Sequence, residues 1–511
     1  MAKKLENDER IRYGNIIIPP HSGFFGMPKE LSNFALTSIM VGFGIWFTLS
    51  LIPTLSRYSM WIVLVFIGAA GIRLFIRIRK GSFGRYKWQE KKMRKLFNKA
   101  KAEGKLKYRP GPSGNTPDGG YKLPGLLAQM ENHQYIDSFH NPYGMLWDPE
   151  RKLGTVFMSV AAPGLQLLDQ RFIDRMVAQW AAFQREAGTS ANIVQVAASV
   201  VSTKDTGTRL PLAVAKHRAT AGDAEIPVAA REVMDEVLEL ENQQLPRVEH
   251  TVALTFSGRA VAAEGLAARG KEELAEEIST VINSFMVTLR DAAAGTVRLM
   301  DSQAITDSFY AAYNPGQSHQ IDIARMADGG TNLRWEEAGP TYADAENKDY
   351  YEHSDYYTKS FQMWKPPSSL FFEDSLRPLL APDFNLEKKR VTIIYRPMSS
   401  DKSHHLALET VNDAVYEANQ KGNKGGSVSA SMVAKARQTE TEMAHGATLV
   451  PFTMLVSATT DDVRKFPRIS ADIRRYGSTG VNLGIREATY THDAAFALGL
   501  GAGLIPTDFK I

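Results

Sequence analysis

Cations are the residues of this 511-residue chain whose spacing departs most from the ordinary. Lysine and arginine total 60 against 56 aspartates and glutamates, a net charge of only +4. Yet the stretch from Arg73 to Lys101 holds twelve of those cations and a single acid, Glu90, which leaves the remainder at about −7. The candidate site residues within it are Arg73, Arg77, Arg79, Lys80, Arg85, Lys87, Lys91, Lys92, Arg94 and Lys95. Charge at this density attracts anionic surfaces, either lipid headgroups, at roughly 1 kcal/mol per residue beside a membrane, or nucleic-acid phosphates. Tyr86, Trp88 and Phe97 stand among the cations, so single-stranded bases could stack there as well.

Elsewhere the titratable residues form thinner patterns. His404, His405 and Glu409 could share a helix turn, and a pair four apart can hold a metal ion. With eleven histidines in the chain and no evident third ligand, a solvated helix start is the plainer reading. His492 beside Asp493 has the types of an acid–base pair, but reads more simply as a surface turn before the apolar tail 494–505. The stretch Asp349, Tyr350, Tyr351, Glu352, His353, Asp355, Tyr356 and Tyr357 reads as an exposed loop entering a strand, with an interaction surface as the alternative.

Several chemistries are excluded outright. No Gly-x-x-x-x-Gly-Lys-Ser/Thr motif exists to cradle phosphates; the nearest mimics, GNKGGS at 422–427 and the stretch 111–120, lack the Gly-Lys-Ser/Thr ending. There is no Gly-x-Ser-x-Gly elbow and no His-Glu-x-x-His zinc helix. With no cysteine, disulfides, thiolate metal sites and a cysteine nucleophile are also ruled out. The expectation is a non-enzyme with no catalytic, cofactor-binding or metal-ligating residues; an unrecognised site around His353 or His492 is the enzymatic alternative.

Two apolar runs precede the cations and would position them. Residues 34–52 (FALTSIMVGFGIWFTLSLI) carry no charge over about 19 positions, the length that about 30 Å of hydrocarbon requires of a helix. Residues 60–72 (MWIVLVFIGAAGI) reach that length if the helix continues to Ile76 and Arg73 snorkels to the headgroups. Tyr58 and Trp61 sit where interfacial rings are favoured. A hairpin of two transmembrane helices follows, placed in the cell membrane. Because short flanks rich in lysine and arginine stay on the cytoplasmic side, both termini and the bulk of the chain are expected there. A signal peptide fits poorly, since 33 largely polar residues come first.

A Gly/Pro-rich loop at 109–120 (RPGPSGNTPDGG) marks a boundary, and beyond it β-branched runs alternate with amphipathic helices. A hairpin is expected around Asp148, Pro149 and Glu150, then helices at about 169–187, 227–243 and 271–290. Strands fall near 193–201, 251–256 and 296–300, and Asp301 can cap a helix that stops at Asn314 and Pro315. Similar alternation returns after 353, with helices near 404–419, 427–444 and 461–476. The fold class is α+β: a transmembrane hairpin followed by two α/β sandwich lobes of ferredoxin-like or similar type. The divisions are an arm at 1–33, the hairpin at 34–79, a basic segment and linker at 80–120, a first lobe at 121–317, a connector at 318–353 and a second lobe at 354–511. No tandem repeat is visible, so any duplication is of folding pattern only.

The hairpin, with YKLPGLLAQM at 121–130, RFIDRMVAQWAAF at 171–183 and AYNP at 312–315, resembles an actinobacterial family of integral membrane proteins found in conjugation or type IV secretion clusters. The resemblance covers about 31–506. It implies a PrgI-like membrane hairpin fused to a region similar to the N-terminal, non-motor domain of conjugation ATPases, the ATPase itself being a separate cytoplasmic chain. It implies a non-catalytic component that docks that ATPase and other channel subunits within an oligomeric assembly at the lipid bilayer. The alternatives are a membrane-tethered nucleic-acid-binding protein guiding transferred DNA, or an accessory subunit of a type VII-like secretion complex.

Overall fold

A computed structural model describes residues 10–14, 16, 29–52, 56–79, 81, 84–116, 120–162, 164, 168–190, 192–205, 207, 209–220, 227–241, 246–259, 267–367, 370–383, 385–421, 426–444 and 447–508. Two compact units emerge: residues 15–103 with 404–445, and residues 1–14, 104–403 and 446–511.

The smaller unit opens with α1 (Lys29–Ser50) and α2 (Ser56–Ile78). Each is long and apolar enough to cross a membrane, over Asn33–Ser50 and Tyr58–Ile78 respectively. Hydroxyls of α1 bond within the helix, Ser38 Oγ donating to the Phe34 carbonyl at 2.7 Å and Thr48 Oγ1 to that of Gly44 at 3.0 Å. The second helix runs on past Arg73 and Arg77, as its length requirement demands. Next comes α3 (Lys87–Ala102), with Glu90 in its first turn and Lys99 and Lys101 in its last, both favourable to the helix dipole.

The larger unit holds a thirteen-stranded sheet among the described residues, every strand pairing in it antiparallel. After β1 (Lys107–Tyr108), β2 (Glu131–Ile136), β3 (Pro142–Asp148) and β4 (Leu153–Ala161) form a meander. Its second turn is fixed by Asp148 Oδ1, which accepts from the backbone N–H groups of Glu150 and Arg151 at 3.0 Å each. Then follow α4 (Gln170–Thr189), β5 (Ile193–Lys204), α5 (Arg209–Thr220), α6 (Val228–Glu241), β6 (Pro246–Ser257), α7 (Lys271–Leu289), β7 (Thr296–Leu299) and α8 (Ser302–Tyr313). The stripe Leu274, Ile278, Ile282, Phe285 and Leu289 of α7 is buried as its 3.6-residue periodicity predicts. Phe172 of α4 is exposed, so that helix buries less of its stripe than expected. Asp301 caps α8, its Oδ1 accepting from Ala304 N–H at 2.7 Å.

The second half repeats the connectivity. After α9 (Ser318–Asp328), β8 (Ala343–Asp344) and β9 (Tyr351–His353) come β10 (Tyr356–Lys365), α10 (Arg377–Leu380) and β11 (Lys388–Tyr395). The helices α11 (Ser400–Lys421) and α12 (Gly426–Ala444) precede β12 (Phe452–Thr460), α13 (Phe466–Ser478), β13 (Gly484–Glu487) and α14 (His492–Gly499). In the first half the spatial order is β7–β4–β6–β5; in the second it is β13–β10–β12–β11. Each half also inserts a pair of helices between its second and third strands, α5–α6 in one and α11–α12 in the other.

Strands of the two expected lobes are joined in one sheet. β5 and β11 pair in continuous register from Val196 opposite Tyr395 to Thr203 opposite Lys388. Each would otherwise be an unpaired edge, and pairing equivalent edges antiparallel removes both at once. One core also serves both halves, since Leu146, Phe157 and Ala253 cluster with Ile394, Leu455 and Phe496. The apolar tail lies in this core: Ala495, Phe496, Leu498, Leu500 and Leu504 are buried. Gly501 and Gly503, at φ 74° and 81°, hold left-handed conformations that favour glycine where the tail runs close to the strands. A β-carbon at Gly503 would collide with the Thr155 hydroxyl.

Candidate membrane interface

Only 6% of each apolar window of α1 and α2 is buried. Met40, Phe43, Trp61, Val65, Ile72 and Phe75 are among the large side chains left open on the two helices. A surface this apolar is unfavourable in water and costs nothing against hydrocarbon. Along α2, 23 residues rise about 34 Å, enough to cross the hydrocarbon core.

The predicted interfacial residues lie at the two ends of α2 and on α3. Tyr58 and Trp61 are exposed in its first turns. Arg73 is exposed one to two turns before the end of α2, close enough for its side chain to reach headgroups. Arg77 stacks its guanidinium 4.5 Å from the centre of the Phe34 ring, an attraction between cation and ring quadrupole that also ties α2 to the start of α1. Arg79 is exposed, and its carbonyl accepts from Lys87 N–H at 3.1 Å, linking the end of α2 to the start of α3. Lys80 lies outside the described residues. Arg85 is half-buried and its carbonyl accepts from Gly81 N–H. Lys87, Lys91, Lys92, Arg94 and Lys95 are all exposed on α3, which buries none of its residues. The structure thus gathers these cations on a helix that directly follows the apolar hairpin.

The other polar candidates separate into core and surface. His353, expected in an exposed loop, is fully buried, as is Tyr351 beside it. Its Nδ1 donates to the Tyr313 carbonyl at 2.6 Å and its Nε2 accepts from Thr358 Oγ1 at 2.7 Å. Burial pushes its pKa down to about 4, the carbonyl hydrogen bond opposing the shift. The ring sits against Tyr313, Tyr351 and Phe496, so it is a satisfied core histidine. His492, expected on a surface turn, is buried too, its Nδ1 accepting from Ser360 N–H at 3.1 Å. Both were misplaced because β9 and α14 are short elements whose burial comes from tertiary packing rather than from local periodicity. His404, His405 and Glu409 are exposed on α11. Among the described residues no three metal-ligating side chains come together. Residues 422–425 of the glycine-rich mimic lie outside the described set.

Sequence reasoning passed over Lys388, Lys389 and Arg390, three buried cations that open a central strand. Their signal was present as a charged run directly abutting the apolar VTIIY. No protein-family model and no curated protein matches this sequence.

Proposed function

We propose that this chain is a membrane-anchored, non-catalytic assembly component of a conjugation or type IV secretion-like machine. It holds its body at the cytoplasmic face and docks a separate ATPase there. The carrying observation is the apolar hairpin, left almost wholly open, followed at once by the exposed cations of α3. Hydrophobic insertion fixes the hairpin, the positive flank selects the cytoplasmic side, and attraction to anionic headgroups holds the base down. The repeated order, with the fourth strand beside the first and the third between first and second, supports reading each half as a ferredoxin-like unit. Two such units fused edge to edge present a broad rigid platform, suited to docking.

The test is co-purification. The full chain, extracted from membranes in mild detergent, should carry an ATPase encoded in the same gene cluster and show no nucleotide hydrolysis once that ATPase is stripped away. Recovery of the chain alone under mild conditions, or hydrolysis by the stripped chain, would overturn the proposal.

A further inference from the structure

Lys388, Lys389 and Arg390 open β11, which lies between β5 and β12 in the middle of the sheet. Strand alternation sends Lys389 to one face and Lys388 and Arg390 to the other. On the latter face the ends of β5, β6 and β11 meet α8 and α9 around a small open cleft. Its walls carry Arg247, Arg325, Lys388 and Arg390 together with Glu249 and Asp322.

Two carboxylates of this wall, Glu249 and Asp322, are paired with Arg247, and Glu249 also attracts Lys388 and Arg390. Arg247 bonds Asp322 Oδ1 at 2.8 Å and also pairs with Glu249, and Arg325 is fixed through Nε, 3.3 Å from Asp307. Lys388 donates to a neutral partner, the Ala311 carbonyl at 2.5 Å. Arg390 is 8% exposed and, among the described residues, makes no hydrogen bond and no ion pair. Half-buried Asp205, where β5 ends, is the lining carboxylate not engaged by a cation among the described residues, and it does not reach Arg390 as an ion pair. Glu249 lends Arg390 some counter-charge at longer range, but among the described residues no protein acceptor meets the guanidinium, whose nitrogens are left to the solvent of the cleft and could receive an anion there.

We propose that this cleft binds a phosphate group, received by the fork of Arg390 with Arg247, Arg325 and Lys388 around it. Planar guanidiniums answer phosphate oxygens in pairs, and the amine adds a mobile point charge. Burial, and the neighbouring Arg390, press the Lys388 amine down to about 7, so a bound anion would restore its charge. Binding without turnover is the expected chemistry, because no phosphate loop or magnesium-binding motif accompanies the site. The site belongs to the sheet body and stands independently of the membrane reading.

The experiment follows thermal unfolding of the full chain in detergent and chloride buffer while inorganic phosphate, adenosine triphosphate or glycerol 3-phosphate is titrated. A saturable rise in Tm is expected with at least one of them. The strongest of the three identifies the source as free phosphate, a nucleotide or a lipid headgroup. Arg390→Gln should weaken binding about tenfold or more, while its Tm without ligand stays level or rises because a charge that no protein acceptor meets is gone. Arg325→Gln, on the opposite wall, should weaken it as well and serves if the first variant does not fold. Lys389→Gln, on the same strand but the other face, should leave affinity unchanged. A Tm indifferent to all three compounds, an adventitious response equal in Arg390→Gln, or an equal loss in Lys389→Gln would overturn the site.

Discussion

Histidine 353 is where a single residue most clearly couples structure to a measurable. Its pKa is about 4 in the folded chain against 6.5 when exposed, so the unfolded chain takes up this proton first. Its contribution to stability is complete above about pH 6.5 and is lost as pH falls toward 4, at up to about 1.4 kcal/mol per pH unit. Replacing it with Leu leaves the Tyr313 carbonyl unanswered and should cost about 1–3 kcal/mol at pH 7. The same change should flatten the fall in Tm between pH 6.5 and 4; an unchanged slope would show that His353 does not titrate there. None of this was legible in sequence, since His353 looks like one more polar residue in a tyrosine-rich stretch. Only its position on β9, packed under α14, makes it core.

Helices with a strong apolar period were legible almost to the residue, as α7 shows at Lys271–Leu289 against the expected 271–290. So was the cap at Asp301, because Ser/Thr/Asp before an apolar run has a local physical cause. The helices α1 and α2 were legible for the simpler reason that their long apolar runs stand out in the sequence. What local pattern could not give is which strands become neighbours. The junction of β5 with β11 joins residues nearly two hundred positions apart, and no periodicity announces it. That junction carries its own prediction. Residues 121–317 and 354–511, expressed apart, should each aggregate, having exposed a long edge strand and half of a common core. Expressed together, they should associate without a covalent link. Cooperative unfolding of either half alone would contradict the shared core.

Across the whole molecule, folding pattern is duplicated although the sequence is not. Each half threads four strands in the same spatial order and interrupts the same connection with two helices. The core tolerates this divergence because apolar volume and pattern suffice to specify it. The proposed membrane attachment would likewise be a property of organisation, two largely apolar helices ahead of a strongly cationic one, rather than of any one residue. The chain has no cysteine, so single cysteines can report which side of the bilayer each part occupies. Leu51→Cys, just beyond α1, and Lys101→Cys, near the end of α3, should be treated with a membrane-impermeant maleimide before and after cell lysis. Labelling of position 51 in intact cells, with position 101 reached only after lysis, is the result expected of a spanning hairpin with a cytoplasmic body. Equal labelling of the two positions in intact cells, or a chain recovered in the water-soluble fraction, would contradict it.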